Sequence, residues 1–224
     1  MASNFAKLFH LVAFGQFSYA LYFNFKEISP KENKVRGFEF GGPLVYITIL
    51  TSVIHVIYYG IAVINDILPA LRAKRLRDYV FAALAVPLAF ETSLMYWSLC
   101  SIDRELAFPK ALDAFFPRWL DIVLHTNVTI FIVIEMIVDH HQYPRRLSAV
   151  RGLTLFIVSY LFWVYVVFIN TGKWVYAVIG VLSGPQRIIF FATCGLVTIV
   201  FYFVGEVLNK LLSGRKKSVG KKAQ

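Results

Sequence analysis

The sequence predicts an all-helical polytopic membrane protein, because its apolar residues occur in long continuous blocks. The chain has 224 residues, of which 58% are hydrophobic and only 16% are charged. A soluble domain of this size carries about 25% charged residues. A helix needs about 20 apolar residues to cross the hydrocarbon core, and several blocks reach that length. Because the blocks do not alternate between polar and apolar residues, they disfavour a transmembrane barrel. We therefore predict six transmembrane helices in a single bundle.

The predicted spans follow one another with polar or Gly- and Pro-containing connections. They cover about residues 5–25, 44–68, 79–102, 119–143, 153–170 and 187–212. The third contains Pro87, where we expect a kink. Residues 27–43 and 171–186 have the composition of loops. Residues 101–118 are apolar enough to lie at the membrane interface.

The domain organisation follows from these spans. Residues 1–212 form one membrane domain, and residues 213–224 form a basic, flexible tail. In the 171–186 connection, Trp174 and Tyr176 are expected to anchor at the lipid headgroups.

The distribution of basic residues predicts the orientation. Six spans place both termini on one side, and that side then carries 14 of the 23 Lys and Arg residues. The positive-inside rule therefore predicts cytosolic termini. The same flanking residues, together with attraction to anionic lipid, explain the net charge of +10, so we expect no nucleic-acid partner. The C-terminal KKAQ resembles a dilysine retrieval signal, although a solvated lysine-rich tail is an equal alternative. We expect the endoplasmic reticulum membrane, the plasma membrane or both.

The fourth predicted span, Trp119 to Tyr143, is unusually polar. Its ionisable and amide residues are Asp121, His125, Asn127, Glu135, Asp139, His140 and His141. An ionisable side chain near the bilayer centre costs at least ~2.5–3.5 kcal/mol on insertion scales, so such groups face a protein interior and indicate function. Helical periodicity places Asp121, His125 and Thr129 on one face. The other helices must supply what this face contacts.

We expect a hydroxyl on the second predicted span to lie at the same depth as the polar face of the fourth. The second span carries polar side chains on one face at Thr48, Ser52, His55 and Tyr59. Thr48 and His125 each lie a few residues inside spans that enter from the same side, roughly 6–10 Å below the interface. A hydroxyl and an imidazole at one depth form the pair that a nucleophilic hydrolase requires. The alternatives are a Thr48 hydroxyl bonded to the Leu44 carbonyl and a His55 that serves packing.

The end of the fourth span contains residue types that bind metals, namely Glu135, Asp139, His140 and His141. Adjacent histidines on a helix point about 100° apart, so they do not converge without a turn. We therefore expect a polar helix end at the headgroups and no metal site. Fingerprints of serine hydrolases, phosphate loops and dinucleotide-binding folds are absent, and we expect no cofactor.

Several motifs resemble the androgen-induced gene family. They are DREL at 103–106, FPK at 108–110, IEM at 134–136, HHQYP at 140–144 and GEVLN at 205–209. The resemblance extends over nearly the whole chain. It implies an atypical multi-pass threonine hydrolase whose substrates are fatty acid esters of hydroxy fatty acids. The nucleophile then falls on Thr48 and the histidine on His125.

The resemblance leaves the supporting residues open. The family often has Asn where this chain has Asp121, so this carboxylate either orients His125 or caps the helix. Candidate donors to the oxyanion are Ser52, Asn127 and a backbone N–H at the start of the second span.

The expected partners are a lipid ester from the bilayer and membrane lipids, and the oligomeric state is undetermined. The alternative function is that of a non-enzymatic membrane regulator or lipid-binding protein. A transporter is disfavoured because no repeat is visible.

Overall fold

The described part of the chain is entirely helical apart from turns and loops. The computed structural model describes residues 3–36, 40–71 and 73–222, with side chains up to residue 212, and these residues contain no β-strand. Five helices are long and apolar enough to cross a membrane. They are Ile47–Ile67, Lys74–Ile102, Arg118–Val138, Arg146–Thr171 and Gly184–Leu212. The predicted helical membrane architecture is confirmed.

The first helix, α1 (Asn4–Phe23), is not one of these five, so the sixth span stays a prediction. The Ser3 side chain caps α1 by accepting a hydrogen bond from the Ala6 N–H at 3.1 Å. The buried residues of α1 recur every three or four positions, at Ala6, His10, Ala13, Phe17 and Ala20. This stripe packs against α3 (Ile47–Ile67).

The region predicted to be a loop after the first span is partly helical, and that prediction was wrong. A π-turn (Asn24–Ile28) extends α1 into α2 (Ser29–Arg36). Pro30 lies two residues after the π-turn, whose irregular hydrogen bonding accommodates the missing N–H and the bulk of the proline ring. A 3-10 turn (Gly42–Val45) then leads into α3.

The second of the five long helices, which corresponds to the third predicted span, lies at the centre of the bundle. It consists of α4 (Lys74–Val80), a π-turn (Phe81–Ala85) and α5 (Val86–Ile102). Pro87 lies two residues after the π-turn, which accommodates the missing N–H and the bulk of the proline ring. The apolar window of this helix is 67% buried, against 17% in each of the last two spans. The predicted irregularity at Pro87 is therefore a change of helix type in the most enclosed span.

The third of the five long helices corresponds to the fourth predicted span, and it is shorter than the sequence predicted. It is called the fourth span below. It consists of α6 (Arg118–Ile122), a π-turn (Val123–Asn127) and α7 (Val128–Val138). The prediction of a continuous helix up to Tyr143 was wrong, because Asp139 has an extended backbone with φ −123° and ψ 165°. Its carboxylate accepts a hydrogen bond from Arg77 and another from the His140 N–H at 2.7 Å. These bonds stabilise the turn that ends the helix.

The C-terminal half has two lipid-exposed helices, α8 (Arg146–Thr171) and α10 (Gly184–Lys222), separated by the short α9 (Ala177–Val181). Gly172 ends α8 in a left-handed conformation with φ +68°. At Gly205 a Cβ atom would lie 2.4 Å from the Val86 Cγ1 atom, so glycine permits α10 to approach α5 closely. The helix α10 continues through Lys222, and the basic, flexible tail at residues 213–224 stays a prediction. The last two residues of KKAQ lie outside the described residues.

Candidate functional site

An apolar cavity of ≈ 190 Å³ lies between the start of α3, the π-turn of the fourth span and the helices α5, α8 and α10. Its wall is mostly aliphatic and aromatic, with a few polar side chains. Thr48 and His125 both line it. The structure therefore brings the two predicted catalytic residues to one cavity, although they lie on different helices and far apart in sequence.

Thr48 lies in the first turn of α3. Gly41 and Gly42, with φ of +83° and +52°, turn the chain into the 3-10 segment that precedes the helix. Leu44 is in that segment, and its carbonyl accepts a hydrogen bond from the Trp163 indole at 3.2 Å. Among the hydrogen bonds of the described residues, none joins the Thr48 hydroxyl to Leu44. The alternative interpretation of Thr48 as a back-bonded helix threonine is not what the geometry shows.

Two tyrosines hold the N-terminus of α3 in place. The Ile47 N–H donates to the hydroxyls of Tyr160 at 3.1 Å and Tyr176 at 2.9 Å. Tyr160 also donates to the Val45 carbonyl at 3.0 Å. These bonds satisfy a backbone donor that has no partner within the helix. They fix the position of the neighbouring Thr48.

The predicted role of Tyr176 as a headgroup anchor was wrong. Its hydroxyl lies inside the protein, 3.1 Å from that of Tyr160. Burial raises the pKa of Tyr176, so the phenol stays neutral near pH 7. The sequence offered no signal for this pairing, because Tyr160 is one of many aromatic residues in an apolar helix.

His125 is oriented by Asp121 and Tyr96. The His125 Nδ1 atom lies 2.9 Å from Asp121 Oδ1 and 3.0 Å from the Asp121 backbone carbonyl. Because both neighbours of Nδ1 are acceptors, this nitrogen carries the proton of the neutral ring and Nε2 has the free lone pair. The Tyr96 ring stacks on the imidazole at 3.5 Å, and its hydroxyl donates to Asp121 Oδ1 at 2.6 Å.

The π-turn that carries His125 is tied to α5 by hydroxyl groups. Ser93 donates to the His125 carbonyl at 2.6 Å, and Thr129 donates to the Ala89 carbonyl at 2.8 Å. The side chains of Ser93 and Thr129 also lie 2.7 Å apart. Such hydroxyl bonds satisfy carbonyls at the irregular turn and fix the ring next to the cavity.

Three of the predicted supporting residues do not line the cavity. Ser52 donates to the Thr48 carbonyl at 3.0 Å, and Asn127 donates to Gln16 on α1 at 3.2 Å. His55 is fully buried, with its ring nitrogens 2.8 Å from the Thr51 carbonyl and 3.1 Å from the Val128 carbonyl. His55 therefore joins α3 to α7, as its packing alternative predicted.

The charged side chains Glu32, Arg36 and Glu91 also line the cavity. Glu91 is 7% exposed, and within the described residues neither of its carboxyl oxygens has a hydrogen-bond partner. Arg36 lies at the end of α2, and its guanidinium lies 5.4 Å from the Tyr46 ring centre. Arg36 pairs with Glu32 at 3.0 Å. The cavity wall thus carries the Thr48 hydroxyl, the His125 imidazole and, near α2, the Arg36 guanidinium.

The fold and this cavity define an integral membrane protein with a polar site enclosed by its helices. The chain belongs to the FAR-17a/AIG1-like protein family, whose sequence model matches residues 5–210. It is 35% identical to the human androgen-induced gene 1 protein over 194 residues, which cover 80% of this chain and 82% of the relative. It is 32% identical to the mouse androgen-dependent TFPI-regulating protein over 196 residues, with 84% and 85% covered. The predicted family membership is confirmed.

A more distant relative is a membrane protein of Schizosaccharomyces pombe, 23% identical over 173 residues that cover 76% of each chain. No solved structure matches this chain.

Removing the Tyr160 hydroxyl should loosen the start of α3. In Tyr160→Phe the Val45 carbonyl loses a donor and the Ile47 N–H loses one of its two acceptors. We expect the free energy of unfolding to fall by about 1–3 kcal/mol, measured as a lower midpoint of thermal unfolding in detergent. Tyr165→Phe is the matched control, since Tyr165 is on the same helix and 57% exposed. Equal midpoints for the two variants would contradict the proposed role.

Proposed function

We propose that the protein is an intramembrane carboxylic-ester hydrolase that cleaves fatty acid esters of hydroxy fatty acids. Thr48 is the nucleophile and His125 is the general base. The observation that supports this assignment is that both side chains line one apolar cavity, with the His125 ring oriented through Nδ1 by Asp121. The aliphatic and aromatic wall of this cavity suits the acyl chains of such an ester.

The proposed reaction has two steps. His125 Nε2 takes the proton of the Thr48 hydroxyl as Thr48 Oγ1 attacks the ester carbonyl carbon. The tetrahedral intermediate collapses, the ester C–O bond breaks, and the leaving alkoxide takes the proton back from His125 to leave as a hydroxy fatty acid. Water then attacks the acyl-threonine with His125 again as base. The second product is the unbranched fatty acid, and the Thr48 hydroxyl is restored.

Asp121 and the first turn of α3 supply the electrostatic stabilisation in this mechanism. The Asp121 carboxylate holds the tautomer of His125 and stabilises the imidazolium that forms. An asparagine oxygen at this position also accepts the bonds from Tyr96 and His125, which explains how relatives with Asn retain the orientation. The oxyanion is assigned to the backbone N–H of Thr48, where the helix dipole is positive, because the other N–H groups of the first turn already have acceptors.

Arg36 is the proposed partner of the substrate's free carboxylate. It lines the same cavity as Thr48 and belongs to α2, outside the five apolar spans. Its present partner Glu32 is buried, and burial raises the pKa of Glu32. Because burial weakens the charged form of Glu32, an incoming carboxylate can compete for the guanidinium.

The proposed topology has six spans, with α1 as the first and both termini in the cytosol. In support, α1 is 20 residues long, and its side chains Phe5, Leu8, Leu11 and Val12 are more than half exposed in the isolated chain. The site then lies near the lumenal or extracellular face of the endoplasmic reticulum or plasma membrane.

Replacing either catalytic residue should remove hydrolysis. We expect Thr48→Ala and His125→Ala to lower kcat/KM for a branched fatty ester by about a thousandfold or more, since nucleophile and base act as a unit. A fluorophosphonate should label the wild-type protein at Thr48, and His125→Ala should prevent the labelling. Purified protein in detergent provides both measurements.

The control for these variants is Thr154→Ala, because Thr154 is an exposed threonine of α8 away from the cavity. It should retain labelling and turnover. Unchanged ester turnover by Thr48→Ala would remove the hydrolase proposal. The cavity would then suit a lipid-binding regulator.

Arg36 should affect recognition of the free acid alone. In Arg36→Gln we expect KM for the free-acid substrate to rise about tenfold, while kcat changes little, because the lost interaction is made equally in the ground and transition states. The methyl ester of the same substrate lacks the carboxylate and should show the same KM with both proteins. A matched rise for the methyl ester would contradict direct recognition.

Tags at both termini distinguish six spans from five. An even number of spans places both tags on the cytosolic side, where antibodies reach them only after the plasma membrane is selectively permeabilised. Five spans place the tags on opposite sides. A terminus that antibodies detect only after all membranes are opened would contradict the six-span topology.

A further inference from the structure

A second polar cluster lies at the other end of the fourth span. It combines His10 of α1, Asp66 of α3, Glu135 of α7, and Asp139 and His141 of the turn that follows. Glu135 is ten residues beyond His125, which is about 15 Å along a helix. The cluster is therefore separate from the cavity, and the proposed hydrolysis does not use it.

The potential ligand atoms of this cluster converge. His10, Glu135 and Asp139 each offer one atom, and these atoms lie within 4.8 Å of one another. Glu135 Oε1 is 3.1 Å from His10 Nε2 and 3.3 Å from His141 Nε2. Two ligands bound tetrahedrally to Zn²⁺ at the usual bond lengths lie about 3.3 Å apart. The Nε2 atoms of both histidines thus lie from Glu135 Oε1 at the spacing of zinc ligands.

The surroundings of His10 match those of a metal-binding histidine. Its Nδ1 atom lies 2.6 Å from Asp66 Oδ2, which fixes a proton on Nδ1, and its Nε2 atom faces Glu135, where a metal ion would take the place of the Nε2 proton. Metal-bound histidines usually donate their other N–H to a carboxylate in this way. Such an arrangement orients the ring and increases the basicity of the binding nitrogen.

The cluster has an unmet polar requirement and a charge requirement. Glu135 is completely buried, yet its Oε2 atom has no hydrogen-bond partner within the described residues. The carboxylates around the site are those of Asp66, Asp78, Glu135 and Asp139, and the guanidinium of Arg77 pairs with Asp78 and Asp139. Buried carboxylates need a matching positive charge, and here the charge of Asp66 and Glu135 is balanced either by the histidines that contact them or by a bound cation. A divalent cation beside Glu135 satisfies both requirements.

The turn after α7 allows His141 to point into the cluster, although the sequence predicted that adjacent histidines on a continuous helix would diverge. Adjacent histidines diverge on a helix, but α7 ends at Val138 and the chain is extended at Asp139. His141 therefore points inward and is 1% exposed, whereas His140 lies at the surface. The Tyr58 hydroxyl, 2.7 Å from His141 Nε2 and 2.6 Å from Glu135 Oε1, closes the site on the α3 side.

We propose that His10, Glu135 and Asp139 bind a divalent cation, with His141, next to Glu135, completing the site. Imidazole and carboxylate ligands in this number favour Zn²⁺. The ion joins the N-terminal helix to the fourth span and to the turn after it, so its role is structural. Binding free energy of a site assembled from separate elements contributes directly to folding.

The test measures metal content and stability in the whole protein, purified in detergent without chelators. We expect about one zinc per chain by mass spectrometry of the metal, as for a closed structural site. Glu135→Gln and His141→Gln should each lower this content at least about tenfold, as loss of a ligand does. Glu91→Gln is the matched control, because Glu91 is also a buried carboxylate but lies in the cavity. It should retain the metal.

The wild-type protein provides an arm that does not depend on folding of the variants. Phenanthroline should lower the midpoint of thermal unfolding, and added Zn²⁺ but not Mg²⁺ should restore it. Wild-type protein without zinc, whose midpoint is unchanged by chelator and by added Zn²⁺, would overturn the proposal and leave a hydrogen-bonded network. Equal zinc loss in Glu91→Gln and Glu135→Gln would overturn this assignment of the ligands.

Discussion

A bilayer contains no water in its hydrocarbon core, so every polar group within a span must find a partner inside the protein. This constraint acts most strongly on the fourth span, which has an ionisable residue near each end. Asp121 and His125 are satisfied by each other and by Tyr96 of α5. Glu135 is contacted by Tyr58 of α3 and His10 of α1. The helices that supply these partners are the ones that form the interior of the bundle.

The same constraint explains the irregular helices. The described residues contain π-turns at Asn24–Ile28, Phe81–Ala85 and Val123–Asn127. Each π-turn leaves backbone carbonyls without regular helical partners, which is tolerated in a membrane only where the protein supplies other donors. Ser93 and Thr129 do so around His125. The irregular turn thus gives the histidine a position and orientation that a regular helix face would not provide.

The polar sites at the two ends of the fourth span differ in how fully their side chains are bonded and enclosed. Around His125 the Nδ1 side of the ring is fully bonded, while a cavity with Thr48 on its wall lies beside it. Around Glu135 the side chains converge tightly on one another, and the cluster lies beneath the turn that ends α7. An open cavity suits exchange of a substrate, whereas a closed polar cluster suits a permanent structural role. Both roles, substrate exchange at the cavity and structural support at the cluster, depend on the helices that enclose the polar residues as well as on the polar residues themselves.

The sequence by itself determined the helical membrane class, because continuous apolar blocks leave few other structures. It also placed Thr48 and His125 at one depth, since residue count fixes depth along a helix, and the family resemblance assigned the nucleophile and the histidine to them. It did not determine which helix faces meet. The pairing of Tyr160 with Tyr176, the stacking of Tyr96 on His125 and the convergence of His10 with His141 join residues far apart in the chain. Only the tertiary structure decided these contacts, because helix rotation and the end of α7 at Val138 depend on partners that periodicity does not reveal.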